Sequence, residues 1–393
     1  MAKVKSRMKK KSGKKGFTAL MIIAAIIIIL LIVFTAAQKL GNVTVVSMVS
    51  DVKAYFMSLG AGDGYPYSVD ADEVKGMCTN NKNVILLLND KTTSLTTTAK
   101  EIMSNTHTYS NPVMKQKGSK IIVYDLNSGK FRVQSGADIT KEYELENKIT
   151  AAAVGSDGNY AVASYGDGVQ SVLTVYSKRH KQIFIWNFKD ERVVDIALSD
   201  NGKKAAVAVV AYDNANIYSK LYVFDFDSEE YTACFEYKNS VLVNVDYTSG
   251  GRIIAVGNNI RTCIDSKMQK TDYSFGSDVL HNYSMAENGV SAQVTSKYGS
   301  SLLSSLTVYS AKNSKIFEKE YEHEVKWVDT DGKYTAVLFD KEIITYNKKG
   351  EQIGDIAFEG EPVRVEIDGS KVYLLTLVGI ECFNTKDNTA ESR

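Results

Sequence analysis

The Asp-Thr-Asp-Gly run at 329–332 has the carboxylate spacing that opens a calcium loop. Such a loop needs further oxygen ligands at set intervals, and the later ligand set of an EF-hand is lacking after Gly332. Glycine beside Asp between two β-rich runs instead marks a hairpin corner, where positive φ is needed. The four cysteines (Cys78, Cys234, Cys263, Cys382) contain no CxxC pair and read as small buried core residues. The four histidines show no metal spacing, and no GxSxG, HExxH or phosphate loop occurs. A glycosidase would need two converging carboxylates, and the spacing of the 46 acids selects no pair. No catalytic, cofactor or metal residue is therefore assigned. Recognition is the chemistry left, and tyrosines carry it. The segments Tyr165–Gln170, Tyr212–Tyr218 and Tyr298–Ser305 set Tyr beside Gly, Asn, Asp or Ser, giving aromatic contact area with adaptable hydrogen bonding. The candidate contact residues are Tyr165, Asp167, Tyr212, Asp213, Asn216, Tyr218 and Tyr298. The rival reading makes these segments solvated hairpin extensions.

The elements that must hold those segments are best seen in residues 325–361. Four short strands are expected there: Val325–Asp329, Tyr334–Asp340, Glu342–Asn347 and Gln352–Phe358. Apolar residues face both ways, with Ala336 and Leu338 on one side and Val337 and Phe339 on the other, so a like sheet must cover each face. The chain supplies the sheets. First corners recur at Asn81-Lys82, Gly118, Gly158, Gly202, Gly251, Gly289, Gly332 and Gly369, about 41 residues apart. A period near 40 with four strands per unit is the signature of a β-propeller. An all-β, eight-bladed propeller over 65–384 is expected, with seven blades as the alternative because the Gly289 unit (VSAQVTSKY) is weakly apolar. The last unit lacks an outer strand, and Tyr65–Asp70 lacks a partner. Joining them would close the ring without a long free edge. Pro66 suits an edge position. Strand order sends the three tyrosine segments, all second corners, to one face. Trp186 and Trp327 read as blade-packing residues.

Eight of the 47 Lys and Arg lie in residues 1–16, which hold no acid, so the rest of the chain carries a net charge of −7. That acidity argues against nucleic-acid binding. Phe17–Ala37 is uncharged and long enough to cross a bilayer at 1.5 Å per residue. It reads as an uncleaved anchor, with a cleaved signal peptide as the rival. The charge difference across it puts the N-terminus in the cytoplasm and everything later outside. Within 38–64, an apolar stripe over 45–59 has helical spacing and would serve as a surface helix or a short dimerising seam, with a glycine-rich hinge at 60–64. Residues 385–393 form a polar tail.

The stretches GDGYPYSVD (62–70), YSNPVMKQKGSKIIVYDLNSGKFRV (109–133), DGNYAVASYGD (157–167) and VDIALSDNGKKAAVA (194–208) resemble an uncharacterised bacterial family of membrane-anchored propellers, a domain of unknown function in the WD40-like and quinoprotein-like superfamily. The resemblance implies fold and topology and brings no activity with it. Quinoprotein dehydrogenases also have eight blades, but they repeat a tryptophan docking motif, and this chain has two tryptophans and no adjacent cysteine pair. The expectation is a surface binding or scaffold module for a protein or a cell-wall polymer. The alternative is a hydrolase or lyase acting on glycan.

Overall fold

The computed structural model describes residues 60–213, 216–297 and 303–389. The expected anchor, the 45–59 stripe and Tyr298 lie outside those residues. Among the described residues no helix is long and apolar enough to cross a membrane.

Eight four-stranded antiparallel sheets follow one another along the chain, and they form an eight-bladed β-propeller. Blades 1 to 8 cover 74–106, 112–144, 149–188, 192–238, 242–274, 278–321, 327–357 and 362–384. All eight expected corners are present, each with positive φ, from Asn81 and Lys82 through Gly118 to Gly369. Only glycine adopts that conformation at little cost, and Asn tolerates it best among the rest. Blade 6 is complete despite its weak apolarity, which settles eight against seven. In blade 7 the strands are Trp327–Thr330, Tyr334–Leu338, Glu342–Asn347 and Gln352–Ala357.

Both chain ends contribute to blade 8. Tyr67 and Ser68 pair with Ile380 and Gly379, completing the sheet as its fourth strand. This clasp is shorter than the strand expected over Tyr65–Asp70. Proline offers no N–H to extend the ladder before Tyr67. The chain instead turns to the corner between the third and fourth strands of blade 1, where Gly62 N and Gly64 N donate to Thr98 Oγ1 and O, both at 3.0 Å. At the other end, the start of the tail lies along blade 7, with Asp355 N donating to Asp387 O at 3.0 Å.

The core is divided among the seams between neighbouring blades. Second strands are buried on both faces, as in Val84–Leu88 and Ala205–Val209. Each faces an apolar cluster, such as Val207, Val209 and Phe224 between blades 3 and 4, or Leu338, Ile356 and Val372 between blades 7 and 8. A fully buried aliphatic side chain contributes about 1.5–3 kcal/mol, so these seams carry the ring. Fourth-strand aromatics reach across them: Trp186 packs on Phe224 at 5.1 Å, and Tyr143 and Tyr321 share hydroxyl bonds with Tyr160 and Tyr346. Third-strand serines do the same work nearer the axis, where Ser171 and Ser219 accept from the first strand of the following blade and Ser304 from Val325 N, just before it.

The seam between blades 5 and 6 is polar. Fully buried Arg261 stacks on the Tyr309 ring and donates to Ser291 Oγ, Asn313 Oδ1 and Ser310 O. Gln293, also buried, finds no protein partner for either amide atom. Ala206 and Ala255 hold the matching position in blades 4 and 5. The cysteines depart from expectation in one place. Cys263 is buried and Cys78 and Cys382 are half-buried, but Cys234 is exposed. It sits on the outer strand of blade 4, where alternate residues face water.

Candidate functional site

Alternating strand direction puts first and third corners on one face of the ring. Second corners and blade-to-blade connectors share the other. The chain reaches the ring at Gly60–Gly64 on the first of these faces, beside Thr98. Tyr165, Asp167, Tyr212, Asp213, Asn216 and Tyr218 all lie on the second.

The two described tyrosine segments are tighter than expected. In blade 3, Gly166 pairs with Val169, which leaves a turn carrying exposed Asp167. In blade 4 the ladder runs on to Asp213 opposite Asn216, so the second corner is an arm standing off the face. Tyr212 is three-quarters exposed there, with Ile217 paired opposite it and also exposed. Tyr218 is half-buried under the Lys220 ammonium. Tyr165 is half-buried because the Arg192 guanidinium lies over its ring at 5.1 Å. Arg192 pairs with Val210, two residues before Tyr212 on the same strand, so Tyr165, Arg192 and Tyr212 form one run across blades 3 and 4.

Residues not assigned from sequence extend this face. Val363, Leu377 and Val378 of blade 8, Val243 of blade 5 and Leu303 of blade 6 are exposed at second corners or first-strand starts. Val378 is three-quarters exposed. The legible signal was its place in a hairpin corner, where the other corners are polar.

A second site was missed. First strands of blades 2 to 8 wall a chamber of about 270 Å³ in the central channel. Lys115 Nζ meets Asp195 at 3.0 Å, and Lys117 Nζ meets Asp246 at 3.0 Å and Tyr247 O at 2.8 Å. Arg364 bonds Glu366 at 2.6 Å, and the Trp327 ring lies 4.7 Å from its guanidinium. Trp327 therefore packs between blades, as expected, and also lines the channel. Asp329 accepts from Ser284 Oγ at 2.5 Å and Ile367 N at 2.8 Å. Its neighbour Asp331 accepts from Tyr334 N and Gly369 N, the work of a corner. Burial, with Asp329 beside it, pushes Glu366 up to about 8 against the pull of Arg364. Burial works against charge on Lys115, but Asp195 outweighs it and holds the ammonium above its ordinary range.

The corner of blade 2 crosses the channel. Besides the Lys117 bonds to blade 5, Gly118 N donates to Glu287 Oε1 of blade 6 at 3.1 Å.

Comparison with known proteins agrees with this geometry. A profile described as "Family of unknown function (DUF5711)" matches residues 67–382. No curated protein matches in sequence. Among solved structures, the C-terminal WD40 domain of Sif2 superimposes with a TM-score of 0.59 at 12% identity, covering 82% of this chain and 98% of that one. BamB from Moraxella catarrhalis gives a TM-score of 0.49 at 11% identity, over 80% of this chain and 97% of its own. At 12% identity the likeness to the WD40 domain is one of fold.

Proposed function

The chain belongs to the DUF5711 family of unknown function, and from that premise we propose that it is a binding and scaffold propeller, taking a protein partner on its second-corner face. The observation that carries this is the exposed pair Tyr212 and Ile217 on the blade 4 arm, with Tyr165 and Arg192 beside it; Leu377 and Val378 of blade 8 are exposed across the ring on the same face, opposite the one where the chain joins the ring. Aliphatic side chains on raised corners favour a protein over a polymer of sugars. Aromatic anchors of protein interfaces cost about 2 kcal/mol or more when truncated. Phe17–Ala37 is proposed as the membrane anchor, with the propeller extracytoplasmic at the bacterial surface and the binding face turned away from the point of attachment.

The test is capture of partners from a surface extract by the full chain in detergent, compared with the Tyr165→Ala, Tyr212→Ala double variant. The variant is expected to keep its melting temperature and to bind at least about tenfold more weakly. Tyr346→Ala, in a buried third strand, is the control and should lose stability instead. Equal capture by wild type and the double variant would move the site off this face.

A further inference from the structure

Three ion pairs in the channel share an asymmetry. In each, one member is withdrawn into the wall and the other keeps about a third of its side chain open. Lys115 is 36% exposed against 5% for Asp195, Arg364 is 30% against 8% for Glu366, and Asp246 is 30% against 10% for Lys117. The withdrawn members have other partners. Asp195 Oδ2 accepts from Asn244 Nδ2 at 2.9 Å and Val245 N at 3.0 Å, and Lys117 also donates to Tyr247 O. The chamber thus offers its interior two cations and one anion, drawn from blades 2, 8 and 5.

Ring position explains why these groups point inward together. All belong to first strands, and all line the same space of about 270 Å³. That is just under the usual range for ligand pockets, which start at about 300 Å³, and suits a molecule of about ten non-hydrogen atoms. Packed aliphatic residues would have closed the channel at lower desolvation cost than paired charges. Asp329 does not add to the open set, since Ser284 and Ile367 N occupy its two oxygens.

We propose that the channel chamber is a binding site for a small amino dicarboxylate, a molecule with two carboxylates and one ammonium on a short carbon chain. Arg364 takes one carboxylate through the guanidinium edge that Glu366 leaves open, a geometry matched to planar bidentate recognition. Lys115 takes the second carboxylate as a point charge. Asp246 accepts from the ammonium.

The test uses the purified full chain in detergent and calorimetric titration with three probes at matched ionic strength. L-glutamate carries the full complement, glutarate lacks the ammonium, and L-glutamine lacks one carboxylate. L-glutamate is expected to bind at least about tenfold more tightly than either analogue, the loss from removing one charged partner. Lys115→Gln should weaken L-glutamate binding by a similar factor; Asp195 loses its cation and the melting temperature falls, but Asn244 and Val245 still hold the carboxylate and the ring stays folded. The substitution should leave partner capture through Tyr212 untouched. Absence of L-glutamate binding would overturn the proposal. So would glutarate binding as tightly as L-glutamate, or full affinity in a folded Lys115→Gln protein.

Discussion

Glu366 is the residue whose surroundings most change its ordinary behaviour. Its carboxyl is buried beside Asp329 and titrates near 8 in the fold instead of at its usual 4.5. Between those values the folded chain holds a proton that the unfolded chain has lost, so stability falls as pH rises through the window and levels off above it. Burial raises Asp246 and Asp329 in the same direction. Glu366→Gln imitates the protonated group at every pH. Its melting temperature should match the wild type near pH 5 and exceed it by several degrees at pH 8.5. Parallel melting curves across that range would mean that Glu366 does not titrate there. None of this was legible in the sequence. Lys115 and Asp195 stand in different units, and only ring closure sets them face to face. The trace they leave is a charged residue inside an apolar first strand, as in VDIAL around Asp195 and VRVEI around Glu366.

At the scale of elements the sequence was far more informative, because backbone demands are local. A corner with positive φ favours glycine or asparagine, and a strand buried on both faces is mostly apolar. The first constraint located all eight corners; the second left the Gly289 unit in doubt, because its buried strand is largely polar. The closing strand was harder to delimit. YPYSVD has β-type residues along its length, yet only Tyr67 and Ser68 join the ladder. That clasp has a definite weak point. A β-carbon on Gly379 would stand 2.6 Å from the Tyr67 carbonyl oxygen, closer than packed atoms tolerate. Gly379→Val should therefore prise the clasp open and expose the edge of the third strand. The expected result is a melting temperature several degrees lower, with amide exchange accelerated first at Tyr67, Ser68 and Ile380. A variant that melts with the wild type would show that the ring does not depend on this pair.

The whole molecule joins to the rest of its chain on one face and offers apolar and aromatic corners on the other. With the charge difference across Phe17–Ala37, this leads to a prediction about topology. Protease added to intact protoplasts should remove the propeller and leave a short fragment containing residues 1–16 inside; a protected propeller would reverse the orientation. The weakest seam of the ring, between blades 5 and 6, has a guard that its own blades do not supply. The corner of blade 2 reaches across the axis and grips both flanking blades, through Lys117 to Asp246 and Tyr247 and through Gly118 to Glu287. Such a crossbar ties the ring the way a rod ties the walls of a vault, and the channel cannot widen without straining it. Anything passing along the axis from one face to the other meets that bar, and a polymer strand would have to part its bonds or squeeze by them.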